Sequence, residues 1–222
     1  MNTACRLAAW CFLGVAAGQA LAASNLIVNG SFDAPGDPLQ GWSADYTHEG
    51  ISHYMQNAAR VAVVPSEGGR SQVLHLDGST EPGTKVESSL IPFDPKGRYR
   101  ATLFVKGGPY RIQFRGYQWR PGVRPHPDPK PEALRQVYRG KEDVGQPASG
   151  HLVKRTGAVT GANAPWKRVT VELPGTAASD LSLKSLSKVR FIRLYVYTWN
   201  PDAGKNERSV LFIDEAVVER ID

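Results

Sequence analysis

The sequence predicts an all-β fold: an antiparallel β-sandwich or jelly roll, built as a single domain with a long Pro/Gly-rich insertion. Three observations predict it. Apolar and polar residues alternate through nearly every run after the first 22 residues, these runs are rich in Val, Ile, Tyr, Phe and Thr, and Gly, Pro, Asn or Asp bounds them. No helical pattern separates successive runs, which argues against βαβ units, and no internal repeat is present.

Residues 1–22 read as a secretory signal. Arg6 supplies the positive start, LAAWCFLGVAA (7–17) the apolar stretch, and Ala20 and Ala22 the small residues before a cleavage site near Ala22. The stretch is too short to span a bilayer, so a secreted or periplasmic protein is expected. Cys5 and Cys11, the only cysteines, both fall in this leader. The exported chain is then without disulfides and depends on its core or on a metal. About 200 residues suffice for one sizeable core.

Strands are predicted at 25–30, 51–56, 59–65, 72–77, 85–93, 98–106, 110–119, 166–173, 188–199 and 208–220. The stretch 121–165 breaks the pattern with seven prolines, many glycines and charges, and only 131–138 reads as a short helix. It reads as an insertion at the rim of the sandwich, either a lid or a loop. Removing Arg6 takes the formal charge from +6 to +5. That excess suits solubility, and it equally suits an acidic polymer such as a uronate-containing or sulfated polysaccharide.

The opening NLIVNGSFD (25–33) followed by Gly41-Trp42 resembles the start of the CenC-type carbohydrate-binding modules, families 4, 9 and 22, which share a galactose-binding-like β-sandwich. PSEGGRSQVLHL (65–76), RYRATLFVKG (98–107) and SVLFIDEAVV (209–218) resemble later landmarks of that family, so the likeness spans 25–220 apart from the insertion. The resemblance implies a structural calcium ion joining the first and last strands through Asp33, Glu67 and Asp214, carboxylates that suit a hard cation. Asp33 stands where the family has Glu; the plainer reading makes it a turn cap and Asp214 a solvated side chain. Asn29-Gly30 bends the chain, Phe32 enters the core, and Trp42 packs over the first loop. The resemblance also implies a glycan on the concave face of one sheet, with Glu87 at a ligand-contacting position, although the family's neighbouring tryptophan is replaced here by Thr84 or Lys85.

Strand alternation carries the ligand reading further. In 188–199, Ile192, Leu194 and Val196 share the core side, while Arg193, Tyr195, Tyr197 and Trp199 share the other. In 110–119, Ile112 and Phe114 are set against Arg111, Gln113, Arg115, Tyr117 and Trp119. Aromatic faces cover the C–H patches of sugar rings, and arginine pairs with carboxylate or sulfate. Three readings stay open: an exposed glycan cleft, a face covered by the insertion as a second small core, and a site for some other ligand.

No Gly-x-Ser-x-Gly, His-Glu-x-x-His or phosphate loop appears, and His48, His53, His75, His126 and His151 show no metal-ligand spacing. Glu87 with Glu172 is the one carboxylate pair to weigh for a glycosidase, which needs both across a cleft. A polysaccharide lyase acting on a uronate polymer, with Tyr195 or Tyr197 as base beside Arg193 and Arg115, is the enzyme alternative. A structural or adhesion domain binding another protein is a third. The reading that leads is an exported non-catalytic polysaccharide-binding protein, with no nucleic acid as partner and no membrane insertion.

Overall fold

The computed structural model describes residues 24–45, 57–66, 70–78, 83–140, 143–145, 159–160, 164–175, 180–200 and 208–222. The expected leader, the expected strand 51–56, Glu67, His48, His53, His151 and most of 141–165 lie outside the described residues.

The predicted sandwich is the fold observed. With strands numbered in chain order, one sheet (sheet A) runs β1 (Trp42–Ser43), β4 (Thr84–Ser88), β12 (Phe191–Thr198), β7 (Tyr110–Trp119) and β8 (Leu134–Arg139), with β5 (Ile91–Pro92) also on β12 and β9 (Asp143–Gly145) on β7. The second (sheet B) runs β11 (Lys167–Leu173), β6 (Tyr99–Gly107), β13 (Arg208–Arg220), β3 (Gln72–Asp77) and β2 (Val61–Pro65). Its pairings are antiparallel except that of β10 (Val159–Thr160), which lies parallel on β13. One side chain in two on each sheet points inward, and these form the core. Val86, Ile112, Phe114, Ile192, Leu194 and Val196 of sheet A meet Leu74, Leu76, Leu103, Leu211 and Ile213 of sheet B, all buried. A short helix, α1 (Asp180–Leu186), buries Leu186. No helix among the described residues is long and apolar enough to cross a membrane.

Three predicted elements differ, each for a local reason. Residues 25–30 form no strand. The Asn25 side chain accepts from the backbone N–H of Val218 (3.0 Å) and of Ile27 (3.0 Å), and donates to Ala216 O (3.1 Å), so side-chain bonds replace a ladder. Asn29 then takes a φ of 52° in a turn. The segment lies against the bulge of β13 between Asp214 and Val217, where Ala216 N donates to Gly30 O at 2.8 Å. A Cβ on Gly30 would stand 1.9 Å from Ala216 O, which is why glycine follows asparagine here. Phe32 is fully buried against Trp42 (5.3 Å between rings), and the Trp42 indole donates to Asn29 O at 3.2 Å.

The predicted strand 85–93 is two strands. At the break, Leu194 N donates to the Ser88 hydroxyl (3.0 Å) and Ser89 N turns away to Gly41 O (2.6 Å). The predicted helix 131–138 is a 3₁₀ turn, Pro131–Ala133, followed by β8. Pairing to β7 overrides the weak helical propensity of so short a run.

Candidate functional site

The outward face of sheet A carries almost all the residues singled out for ligand binding. Register places them in rows across the strands, neighbours about 4.8 Å apart. Lys85, Tyr197 and Arg111 form one row; Glu87, Tyr195 and Gln113 the next; Arg193, Arg115 and Arg139 the third. Phe191 and Tyr117 follow. Lys85 and Arg139 were not among the sequence candidates. Lys85 was noted only as the residue standing where a tryptophan was expected, and the helical reading of 131–138 hid Arg139 on an edge strand.

Glu87 is the hub of this face. It is 4 % exposed, and its Oε1 accepts from Arg115 Nη1 (3.2 Å) and from the Tyr117 hydroxyl (3.2 Å), while Oε2 accepts from Arg193 Nη1 (3.1 Å). Such charge-assisted bonds from several donors fix a carboxylate firmly. Arg139 Nε donates to Gln113 Oε1 at 3.2 Å. Two buried donors, Gln113 Nε2 and Arg193 Nε, meet no acceptor among the described residues. Such a donor costs about 1–3 kcal/mol unless an oxygen meets it.

The third row is electrostatically unusual. Arg193, Arg115 and Arg139 are directly opposite one another on three adjacent strands, an arrangement of like charges that disfavours folding on its own. In the three rows, five cations (Lys85, Arg111, Arg115, Arg139 and Arg193) and one carboxylate (Glu87) give these described strand residues a formal charge of +4.

The aromatic residues line up as the alternation predicts, and they stack on one another. Tyr195 and Tyr197 stand 6.3 Å apart with planes 18° from parallel, and Tyr197 and Trp199 stand 5.5 Å apart at 13°. Arg115 lies over the Tyr195 ring at 3.4 Å and Arg111 over Trp199 at 5.1 Å. Ring faces in this ladder are therefore engaged with neighbours and with guanidinium groups. Trp119 is separate from the ladder and is braced by Phe191 in a T-shaped contact at 5.6 Å.

These contacts bear on chemistry. Burial pushes the Tyr117 phenol well above the usual tyrosine range, and the Glu87 carboxylate adds to the rise against the opposing effect of Arg115 and Arg193. Tyr117 therefore donates a hydrogen bond and is poorly suited to abstract a proton. Glu172 projects from the far side of sheet B, where Arg100 holds it at 2.9 Å, so it does not face Glu87 across any cleft. That pairing fails because the whole core separates the two carboxylates.

Asp33, one of the expected calcium ligands, accepts from the Ser71 hydroxyl (2.6 Å). Asp214 is buried, with Arg70 Nη1 on one oxygen (2.6 Å) and the N–H of Glu215 on the other (2.7 Å). Arg70 also bonds Glu215 at 2.6 Å and lies between the rings of Phe104 (4.5 Å) and Trp166 (4.7 Å). Adjacent residues, Arg70 and Ser71, thus hold two of the three carboxylates expected to bind calcium. Among the described residues no group of three His, Cys, Asp or Glu side chains is placed to hold a metal.

No family model and no curated protein matches the chain. Among solved structures the chain is similar to a family 61 carbohydrate-binding module in complex with β-1,4-galactotriose, at 16 % identity and a TM-score of 0.41 over 89 % of this chain and 99 % of that one. It is similar to a family 4 carbohydrate-binding module at 12 % identity and a TM-score of 0.42, over 88 % and 99 %. It is also similar to the K3 adhesin domain of Lys-gingipain from Porphyromonas gingivalis at 10 % identity and a TM-score of 0.39, over 69 % and 77 %. At these identities and scores no residue of this chain is placed on a residue of theirs.

Proposed function

We propose that this chain is a non-catalytic carbohydrate-binding protein that holds an acidic polysaccharide on the outward face of sheet A. The observation that carries the reading is the row Arg193, Arg115 and Arg139, three guanidinium groups directly opposite one another on adjacent strands. Guanidinium pairs bidentately with carboxylate and sulfate, so three of them in one row match the repeated anionic groups of an acidic polymer. A kinship with CenC-type modules belongs to this reading, supported by the structural duties of Asn25, Gly30 and Phe32 in the opening motif. So does export through residues 1–22, to the periplasm or the exterior.

Calcium is a second part of the proposal. The carboxylates of Asp33 and Asp214 are oxygen donors that suit it, with Glu67 as third ligand. At Asp214 the ion would take the place of the Arg70 guanidinium, so the two cations compete for one carboxylate.

The test is retention of the protein on immobilised neutral, uronate-containing and sulfated polysaccharides at about 0.1 M and about 1 M salt, where screening shortens from about 10 Å to about 3 Å. The expected result is retention on acidic polymers that weakens with salt, is lost in Arg193→Met, and yields no unsaturated product by absorbance. Absence of retention on every acidic polymer refutes the reading, and product formation replaces it with lyase chemistry.

A further inference from the structure

The connection from β7 to β8, residues 120–133, carries proline at 121, 125, 127, 129 and 131. Each ring fixes φ near −65°, so the loop is stiff before any ligand arrives. Its ends are tied together: Arg120 N donates to Ala133 O (2.9 Å), and Arg120 Nε donates to Leu134 O (2.9 Å). Inside the loop Val123 N donates to Arg120 O (3.2 Å), and Asp128 N donates to His126 Nδ1 (3.1 Å).

Between the loop and the end of β7 is a cavity of about 480 Å³. That is within the range of roughly 300–1,000 Å³ typical of small-ligand sites. Its apolar walls are Trp119, Val123, Pro129 and Ala133. Arg124, Lys130, Asp128 and Glu132 contribute its charges, two cations and two carboxylates that cancel. Unlike the three rows of sheet A, whose described residues sum to +4, this lining gives no preference for an anion. It offers an indole braced by Phe191, flat apolar walls, and both donors and acceptors within the same cleft.

We infer that this cleft is a second, separate subsite that takes a neutral sugar ring, its C–H face against Trp119 and its hydroxyls toward the charged side chains. A pyranose is amphipathic in the way these walls are: apolar on its faces, with hydroxyls at its rim that donate and accept alike. Because the loop is rigid and already shaped, little ordering has to accompany binding. That the occupant is a saccharide rests on the reading of sheet A as a glycan-binding face; the mode of binding does not use the arginine row.

The experiment is titration of the protein with neutral tetrasaccharides of β-1,4-linked glucose, xylose and galactose, followed by tryptophan fluorescence and calorimetry at about 0.1 M and about 1 M salt. At least one is expected to bind with an affinity that salt leaves unchanged and that falls tenfold or more in Trp119→Ala. Val123→Trp, which fills the cleft from its exposed rim, is expected to abolish binding and guards against misfolding of the first variant. Failure of all three sugars to bind, or binding that survives both substitutions, overturns the inference. Retention on acidic polymers without neutral binding sinks the cleft and leaves the sheet A reading standing. Neutral binding at Trp119 without acidic retention does the reverse.

Discussion

Replacing Glu87 with Gln removes one charge from the centre of the arginine face and leaves the shape of the side chain. In the native protein that carboxylate, its side chain 5 % exposed, holds Arg115 and Arg193, whose side chains are 16 % and 13 % exposed. Removing one partner of a buried ion pair costs about 3–5 kcal/mol. The amide oxygen still accepts one hydrogen bond, so the lower end applies, about 3 kcal/mol. For a domain of this size each kcal/mol moves the midpoint by about 2–4 °C, so Glu87→Gln is expected to melt about 6–12 °C early by circular dichroism. A soluble uronate polymer should then recover more of the midpoint in the variant than it adds to wild type, because a ligand that binds only the folded state stabilises it. A variant that melts within about 2 °C of wild type would refute the claim that Glu87 holds this face together. Equal polymer-induced shifts in both proteins would refute the claim that the arginines receive anions.

Two further outcomes are expected. On the calcium proposal, chelation lowers the midpoint of wild type, and Arg70→Met, relieved of the competing guanidinium, gains calcium affinity by calorimetry; if chelation changes nothing while Arg70→Met alone melts early, the guanidinium is the clip and the calcium proposal falls. Burial lowers the pKa of His75, a shift that Asp77 partly offsets. In the window between that lowered value and the unfolded value of about 6.5, the unfolded chain binds more protons than the native one. The stabilising contribution is therefore complete above that unfolded value and is lost as pH falls through the folded value. The urea midpoint should fall between about pH 7.5 and pH 5 in wild type and fall less in His75→Gln; equal slopes count against His75 as the source.

The sandwich was legible because alternation in 110–119 and 188–199 is strict, and the same alternation sorted Arg193, Tyr195 and Tyr197 from Ile192, Leu194 and Val196. Alternation says which face a side chain shares. It does not say what the side chain touches there. Tyr195 and Tyr197 read as platforms for a ligand; what the alternation did not reveal is that they stack on each other, with Arg115 over the Tyr195 ring, because side chains two apart on a strand come within reach once both are large. Glu87 was singled out by resemblance as a ligand contact. Its three partners come from two other strands, and no local pattern in the sequence brings Arg115, Tyr117 and Arg193 to one carboxylate. Residues 25–30 misled for the opposite reason: their composition is that of a strand, but the Asn25 side chain outcompetes the ladder. Arg139 was missed because six residues pairing at a sheet edge carry too little periodicity to distinguish strand from helix.

The place of β13 in its sheet has a consequence for how the chain is made. This strand lies between β6 and β3, so before it is in place sheet B consists of two unconnected halves, β11 with β6 and β3 with β2. Synthesis from the amino terminus cannot close that sheet step by step. Each half waits with an unpaired edge and an uncovered apolar surface until the segment 208–220 has emerged, and the whole sandwich then closes late, through contacts between distant parts of the chain. A nascent chain of this kind stays pliable until that strand is in place and depends in that interval on whatever shields strand edges from one another.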